Sequence, residues 1–138
     1  MHVTVSIRII LVLLVLICIL ALNICMSKRC EQVASKLQHQ LSEIINRDIE
    51  SPRDSLITIT RVTVSPDLKI AKIFISVLPE NKEGTALSHL NRLTSLIRQK
   101  LKPQIQFYTL PELRFFIDEY EIKRRKITEA LNEDNSQN

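Results

Sequence analysis

Two strand-like runs joined by a Ser-Pro-Asp turn constrain the fold of this chain more than any other feature. They make up residues 62–78, with the turn at residues 65–67. Pro66 fixes its own φ angle and lacks an N–H donor, and serine and aspartate side chains bond nearby backbone groups, which is typical of a turn. In the second run, apolar residues alternate with Lys72 and Ser76, so one face is predicted to be buried. The chain is therefore predicted to be built on an antiparallel β-hairpin.

The first strand of this hairpin changes the phase of its apolar residues. Ile57 and Ile59 share one parity, whereas Val62 and Val64 share the other. Successive strand residues point to opposite faces, so a change of parity requires one extra residue in the strand. We therefore predict a bulge or strong bend near Arg61.

Segments with helical periodicity lie on both sides of the hairpin. From Cys30 apolar residues recur every three or four positions, which predicts a helix that ends near Asp48 with Ser27 as its N-cap. Residues 79–84 are predicted to be a polar loop, 85–102 a helix, 104–109 extended, 113–117 a third strand, 120–131 a basic helix and 132–138 a disordered tail. The predicted class is α+β, with one three-stranded mixed sheet covered on one face by helices.

Composition excludes several classes of function. Gly84 is the only glycine, so the glycine-rich loops that cradle phosphates in dinucleotide-binding proteins and nucleotide triphosphatases are excluded. The three cysteines lie near the N-terminus with no C-x-x-C pair, which leaves too few ligands for zinc and indicates a reducing compartment. No spacing pairs a carboxylate with a base. We expect no catalysis, no metal, no cofactor and a cytoplasmic location.

An apolar leader precedes the first amphipathic helix. A helix over residues 9–22 would span about 21 Å, which is short of the roughly 30 Å hydrocarbon core of a bilayer. Three interpretations remain open: a short membrane anchor, an export signal, or a segment upstream of the true translation start. We favour a start at Met26, which divides the chain into a leader (1–25), a domain (26–119) and a basic helix with a tail (120–138).

Several of these segments together resemble a known family. Residues 62–68 and 71–77, Pro52-Arg53, Ile97-Arg98 and residues 110–115 leading into Asp118 are similar to the signature of ribosome-binding factor A. The resemblance implies a KH-like (type II) fold in the order α-β-β-α-α-β, here with an extra C-terminal helix. It also implies a non-catalytic factor that binds the free small (30S) ribosomal subunit through 16S rRNA and assists late maturation, including 5'-end processing.

One element of the family pattern differs here. The family replaces the Gly-x-x-Gly loop of ordinary KH modules by a small-residue kink, Ala-x-Gly, between its second and third helices. The resemblance places this kink at residues 93–95, with Ser95 at the kink position, where both small residues are replaced. Either Ser95 takes the bend at some cost, or the two helices run closer to straight.

The formal charge of +4 is consistent with an anionic partner. We expect phosphate contacts from cations on the second helix and its flanking loops, with Arg92 and Arg98 on either side of Ser95, although a solvated surface charge is the alternative for each. The predicted RNA contacts are Arg53, Arg92, Arg98, Lys100 and Lys102, followed by Arg29, Arg47 and Arg124. Phe74 and Phe115 are expected in the core or sheet, which favours recognition of RNA shape.

The expected partners are the free 30S subunit and 16S rRNA, bound by a monomer. A membrane becomes a partner only if residues 1–25 are translated. The alternative function is then a membrane-tethered KH-like RNA-binding or interaction domain, anchored by residues 9–25.

Overall fold

The structure is a computed structural model that describes residues 2–106 and 109–135. It has an α+β architecture, as predicted. Its elements are α1 (His2–Asp48), β1 (Leu56–Val64), β2 (Ile70–Leu78), α2 (Glu83–Leu101), β3 (Glu112–Ile117) and α3 (Glu119–Asn135). Short 3-10 turns, Glu80–Lys82 and Lys102–Gln104, lie at the two ends of α2.

The sheet has the order β1-β2-β3, with β2 in the centre. β1 is antiparallel to β2 through the hairpin, and β3 is parallel to β2 because α2 carries the chain back across the sheet. The register of β1 shifts between Ile59 and Arg61, so Thr60 is the extra residue. This confirms the bulge that the change of apolar parity predicted.

The hairpin turn is held by the two polar side chains that predicted it. The Ser65 hydroxyl accepts from the Ile70 N–H at 3.0 Å, and the Asp67 carboxylate accepts from the Lys69 N–H at 3.1 Å. Leu68 has a φ of 58°, a left-handed conformation that usually favours glycine. These local bonds hold the turn closed without a glycine.

The core lies between one face of the sheet and the helices α1 and α2. Ile73 and Ile75 of β2 have no accessible surface, and neither do Leu41 of α1 and Ile97 of α2, which belong to the same buried cluster. Each fully buried leucine or isoleucine contributes about 1.5–3 kcal/mol through loss of apolar surface from water. The alternation in β2 and the three-to-four spacing in α1 and α2 therefore predicted the buried face correctly.

The first helix is longer than the sequence predicted. α1 is one continuous helix of 47 residues, so Ser27 lies inside it and is not an N-cap. No proline or glycine interrupts the chain before Pro52, and a helix satisfies every backbone N–H and C=O group of the apolar leader within the segment itself. The predicted boundary between leader and domain therefore does not coincide with a break in secondary structure.

The N-terminal part of α1 projects beyond the core. The side chains of residues 9–22 are exposed, in contrast to the buried stripe between Val33 and Ile49. By length and composition, the part of α1 that begins at Ser6 could cross a membrane, and none of its most apolar window is buried against the rest of the chain.

Other predicted boundaries also need correction. Residues 80–82 form a 3-10 turn and α2 starts at Glu83, where a polar loop was predicted. The C-terminal helix continues to Asn135, so residues 132–135 are helical rather than disordered. Phe107 and Tyr108 of the predicted extended segment, and residues 136–138 of the predicted tail, lie outside the described residues.

The two helices expected between β2 and β3 are one. α2 continues through residues 93–95, and Ser95 is an exposed residue of a regular helix. Serine has less conformational freedom in its backbone than glycine and fits into an α-helix at a small cost in free energy. Nothing in this segment therefore forces a bend. The straighter of the two predicted arrangements is the one observed.

Candidate nucleic-acid interface

One exposed face of α2 carries cations that form no hydrogen bond or ion pair with any other described residue. Arg92, Ser95 and Gln99 are exposed at spacings of three and four residues, and Lys102 follows in the adjoining 3-10 turn. Within residues 2–106 and 109–135, the side chains of Arg92 and Lys102 have no hydrogen-bond or ion-pair partner. This set, Arg92, Ser95, Gln99 and Lys102, is the α2 face; its cations are available to an external anion.

Arg98 lies on the flank of α2 that packs against the chain before β3. Its guanidinium is half-buried and donates to the carbonyls of Pro111 at 2.7 Å and Leu110 at 3.5 Å. The side chain therefore ties α2 to the entry of β3. Its predicted RNA contact stays a prediction, but Arg92 and Arg98 do not form a symmetric pair around Ser95.

Three of the predicted cations form surface ion pairs. Lys100 lies 3.2 Å from Asp48 and Arg47 lies 3.7 Å from the same carboxylate, so both meet at the C-terminal end of α1. Arg124 pairs with Glu121 within α3 at 3.1 Å. Exposed pairs of this kind contribute only about 0–1 kcal/mol, so a phosphate can replace the carboxylate at small cost.

The remaining two predicted cations lie in separate places. Arg53 is exposed in the turn before β1, where its backbone carbonyl accepts a hydrogen bond from the Lys82 ammonium. Arg29 lines a cavity of about 630 Å³ beside the hairpin turn, together with Asp67 and Lys69. The structure therefore brings Arg92 and Lys102 onto one face and distributes the other predicted contacts around the domain.

The sheet face opposite the core carries residues that the sequence-based set omitted. Phe74 lies on this outer face, with the Arg61 guanidinium 4.2 Å from its ring centre and the Phe116 ring 5.8 Å away. Phe115, by contrast, is 5% exposed and belongs to the core as predicted. The parity change at Arg61 was the available signal, because it implies that Arg61 points away from the core.

Asp118 connects the bulge to the last helix. Its carboxylate is 5% exposed, accepts from the Thr60 hydroxyl at 2.6 Å and caps α3 by accepting from the N–H groups of Tyr120 and Glu121. Burial raises the pKa of Asp118, but the Thr60 hydroxyl, the backbone N–H groups and the positive charge of Arg61 outweigh burial and hold the pKa below the usual 3.8. The ionised form therefore stabilises the fold.

Replacing Asp118 with asparagine is expected to lower the free energy of unfolding at neutral pH by about 1 kcal/mol, since the cap and the Thr60 bond lose a charged acceptor. The folded-state pKa lies below the unfolded one, so this stabilisation is present above about pH 4 and is lost as the pH falls through the folded pKa. Urea unfolding from pH 7 to pH 3 checks this. The exposed Glu129→Gln variant is the control, and a wild-type advantage that persists unchanged at pH 3 would contradict the assignment.

Metal binding has no support in the described part of the chain. No group of three or more histidine, cysteine, aspartate or glutamate side chains there is placed to hold a metal ion. The acidic side chains near the turns instead accept local hydrogen bonds, as Asp67 does at the hairpin.

The fold is that of a KH-like α+β domain: a three-stranded mixed sheet has α1 and α2 on one face, and α2 carries the cationic α2 face. The domain lacks the glycine-rich loop of ordinary KH modules. A family model described as Ribosome-binding factor A matches residues 29–131. The chain belongs to the ribosome-binding factor A family, as the hairpin signature predicted.

Curated relatives agree with this membership. Ribosome-binding factor A of Prosthecochloris aestuarii is 41% identical over 112 residues, which cover 78% of this chain and 90% of that protein. The protein of the same name from Chlorobium chlorochromatii is 39% identical over 111 residues, which cover 78% and 89%. The family is one of ribosome-binding factors and is not a known enzyme family.

A solved structure and a fitted homology model share the fold. The crystal structure of ribosome-binding factor A from Thermus thermophilus aligns with a TM-score of 0.57 and 23% identity, over 64% of this chain and 94% of that one. A homology model of the Thermus thermophilus factor, fitted into a cryo-EM map of a 30S complex, aligns with a TM-score of 0.53 and 29% identity over 60% and 88%. These alignments support the KH-like assignment.

Proposed function

We propose that this chain binds the free 30S ribosomal subunit through 16S rRNA and assists late maturation of the subunit, including processing of its 5' end, without catalysing a reaction itself. The observation that carries the proposal is the α2 face, whose two cations have no partner among the described residues, on a domain of the ribosome-binding factor A family. The related Thermus factor was fitted into a 30S complex, which supports the same partner here.

The chemistry of the α2 face suits an RNA backbone. Arg92 and Lys102 neutralise phosphates, and the binding free energy comes largely from release of the counterions that those phosphates held. Between the two cations, Ser95 and Gln99 present short or neutral polar side chains that leave room for the sugar-phosphate chain. Contacts of this kind position a protein on folded RNA by shape and do not read base sequence.

We further propose that residues 26–119 form the working domain, that it acts as a monomer in the cytoplasm and that translation starts at Met26. The family model begins at residue 29, which supports the proposal that the leader is not part of the working domain. Among the described side chains, the buried cluster of the KH-like core begins at Val33.

The exposed apolar part of α1 favours a second candidate, a membrane-tethered form of the same RNA-binding domain. Lys28 and Arg29 lie at the start of the domain, directly after the apolar stretch, and basic residues favour the cytoplasmic side of a membrane. A tethered domain would therefore still face the cytoplasm and its ribosomes.

Gradient sedimentation of cell extract tests the main proposal. The chain is expected in the fractions of the free small subunit and not in those of joined ribosomes, and absence from the small-subunit fractions would overturn the proposal. The two candidates are separated by membrane pelleting and by mass spectrometry of the N-terminal peptide. A peptide that contains residues upstream of Met26 would disprove the start at Met26.

A further inference from the structure

The outer face of the sheet presents two adjacent rows of side chains across all three strands. Arg61, Phe74 and Phe116 are register partners and form the first row. Thr63, Lys72 and Arg114 form the next row on the same face, two residues away along each strand. The six residues are named the outer-face rows, and they include three cations and no anion.

The bulge at Thr60 brings Arg61 into these rows. Ile57 and Ile59 point into the core, so an unbroken strand would direct Arg61 into the core as well. The extra residue reverses the phase, buries Val62 and places Arg61 opposite Phe74 on the outer face. The guanidinium then lies over the aromatic ring instead of pointing freely into solvent.

These rows remain open to solvent in the described part of the chain. α3 approaches the outer face at its other end, where Arg125 donates to the Ser76 hydroxyl at 2.6 Å. Phe116 is 40% exposed, and both Lys72 and Arg114 are exposed. Arg114 has one acidic neighbour, Glu112, at 3.0 Å, a surface pair that a phosphate can replace.

We propose that the outer-face rows bind a single-stranded RNA segment. A base stacks on the Phe116 ring or on the Arg61 guanidinium, since both offer flat faces to an unpaired base. Lys72 and Arg114 neutralise the phosphates on the neighbouring row. The net positive charge of the six residues favours RNA over a protein partner, because a protein would need acidic side chains that match these cations.

This surface lies on the opposite side of the sheet from α2. It is therefore a second RNA contact, separate from the α2 face. The inference rests on the proposed function only for the identity of the RNA, which would be the rRNA of the small subunit. A domain that contacts folded RNA by α2 and an unpaired strand by its sheet would hold two parts of an rRNA at a fixed distance.

Fluorescence anisotropy of the full chain with a labelled oligouridine of about 12 nucleotides, within the site sizes usual for single-strand binders, tests the proposal. Phe116→Leu keeps an apolar side chain but removes the ring, so the dissociation constant should rise about tenfold with an unchanged salt dependence. Lys72→Ala should lower the slope of log affinity against log salt by about 0.7. Lys36→Ala, an exposed cation on α1, is the matched control and should change neither by as much.

Equal affinities for wild type and Phe116→Leu would overturn the proposal, as would tighter binding to an RNA duplex of the same length. A photo-crosslinking amino acid at position 116 provides a second measurement in the complex with 30S subunits. Crosslinks to rRNA support the proposal, and crosslinks to a ribosomal protein overturn it. If the chain fails to sediment with subunits, the proposed function fails, whereas the oligonucleotide comparison still decides the role of the sheet.

Discussion

Replacing both Arg92 and Lys102 with glutamate is expected to weaken binding to free 30S subunits by at least about tenfold and to lower its salt slope by about two, one for each lost phosphate contact. Both side chains are exposed on the α2 face and have no partner in the described part of the chain. Their removal therefore costs little folding free energy. Binding at a series of salt concentrations, measured by filter retention of labelled subunits, gives both quantities.

The matched control reverses the same number of charges elsewhere. Lys36 and Lys123 are exposed on α1 and α3 and likewise make no hydrogen bond or ion pair with described residues. The Lys36→Glu/Lys123→Glu double variant has the same net charge as the α2 variant and should bind more tightly than it does. Equal losses in the two variants would show that only net charge matters and would remove the α2 face from the proposed interface.

Replacing Arg98 with methionine is expected to lower the free energy of unfolding by about 1.5–3 kcal/mol, because the half-buried guanidinium donates to two carbonyls that then lose their partner. Pro111 is buried, so water cannot readily take over the bond to its carbonyl. Urea unfolding followed by circular dichroism measures the change. Arg98→Lys should fall between wild type and methionine, since an ammonium lacks the planar fork of the guanidinium.

Arg92→Met serves as the control for Arg98→Met, because it makes the same chemical change nearer the start of the helix, at an exposed position. Its effect on unfolding is expected to stay within about 0.5 kcal/mol. If Arg98→Met has the same free energy of unfolding as the control but binds 30S subunits more weakly, then Arg98 is an RNA contact, as its place in the sequence predicted. In that case the hydrogen bond to the Pro111 carbonyl does not stabilise the fold.

The continuous course of α2 determines which cations lie on one face. In a helix bent at residues 93–95, Arg92 and Lys102 would point in different directions. With a continuous helix, Arg92, Ser95 and Gln99 lie along one face that leads to Lys102. The continuous helix therefore places Arg92 and Lys102 on one face.

Local pattern alone could predict most of the fold. The Ser-Pro-Asp turn, the alternation in β2 and the parity change in β1 depend on neighbours within a few residues, and the hairpin, its buried face and the bulge follow from them. The spacing of apolar residues likewise predicted α1 and α2. The ends of helices were less predictable, because Ser27 caps a helix only where the preceding chain is not helical.

Only the tertiary structure decided the partners of the charged side chains. Arg92 and Arg98 look alike in the sequence, yet Arg98 reaches the carbonyls of Leu110 and Pro111, which lie 12 and 13 residues further along the chain. The row of Arg61, Phe74 and Phe116 likewise exists only once β3 pairs parallel to β2. The spacing of apolar residues indicates which face of a helix or strand is buried. Which residue of a neighbouring element a side chain contacts depends on how the elements pack. The sequence therefore determined the elements and the buried face of the sheet, and the packing of α2 and β3 decided which cations are free to bind RNA.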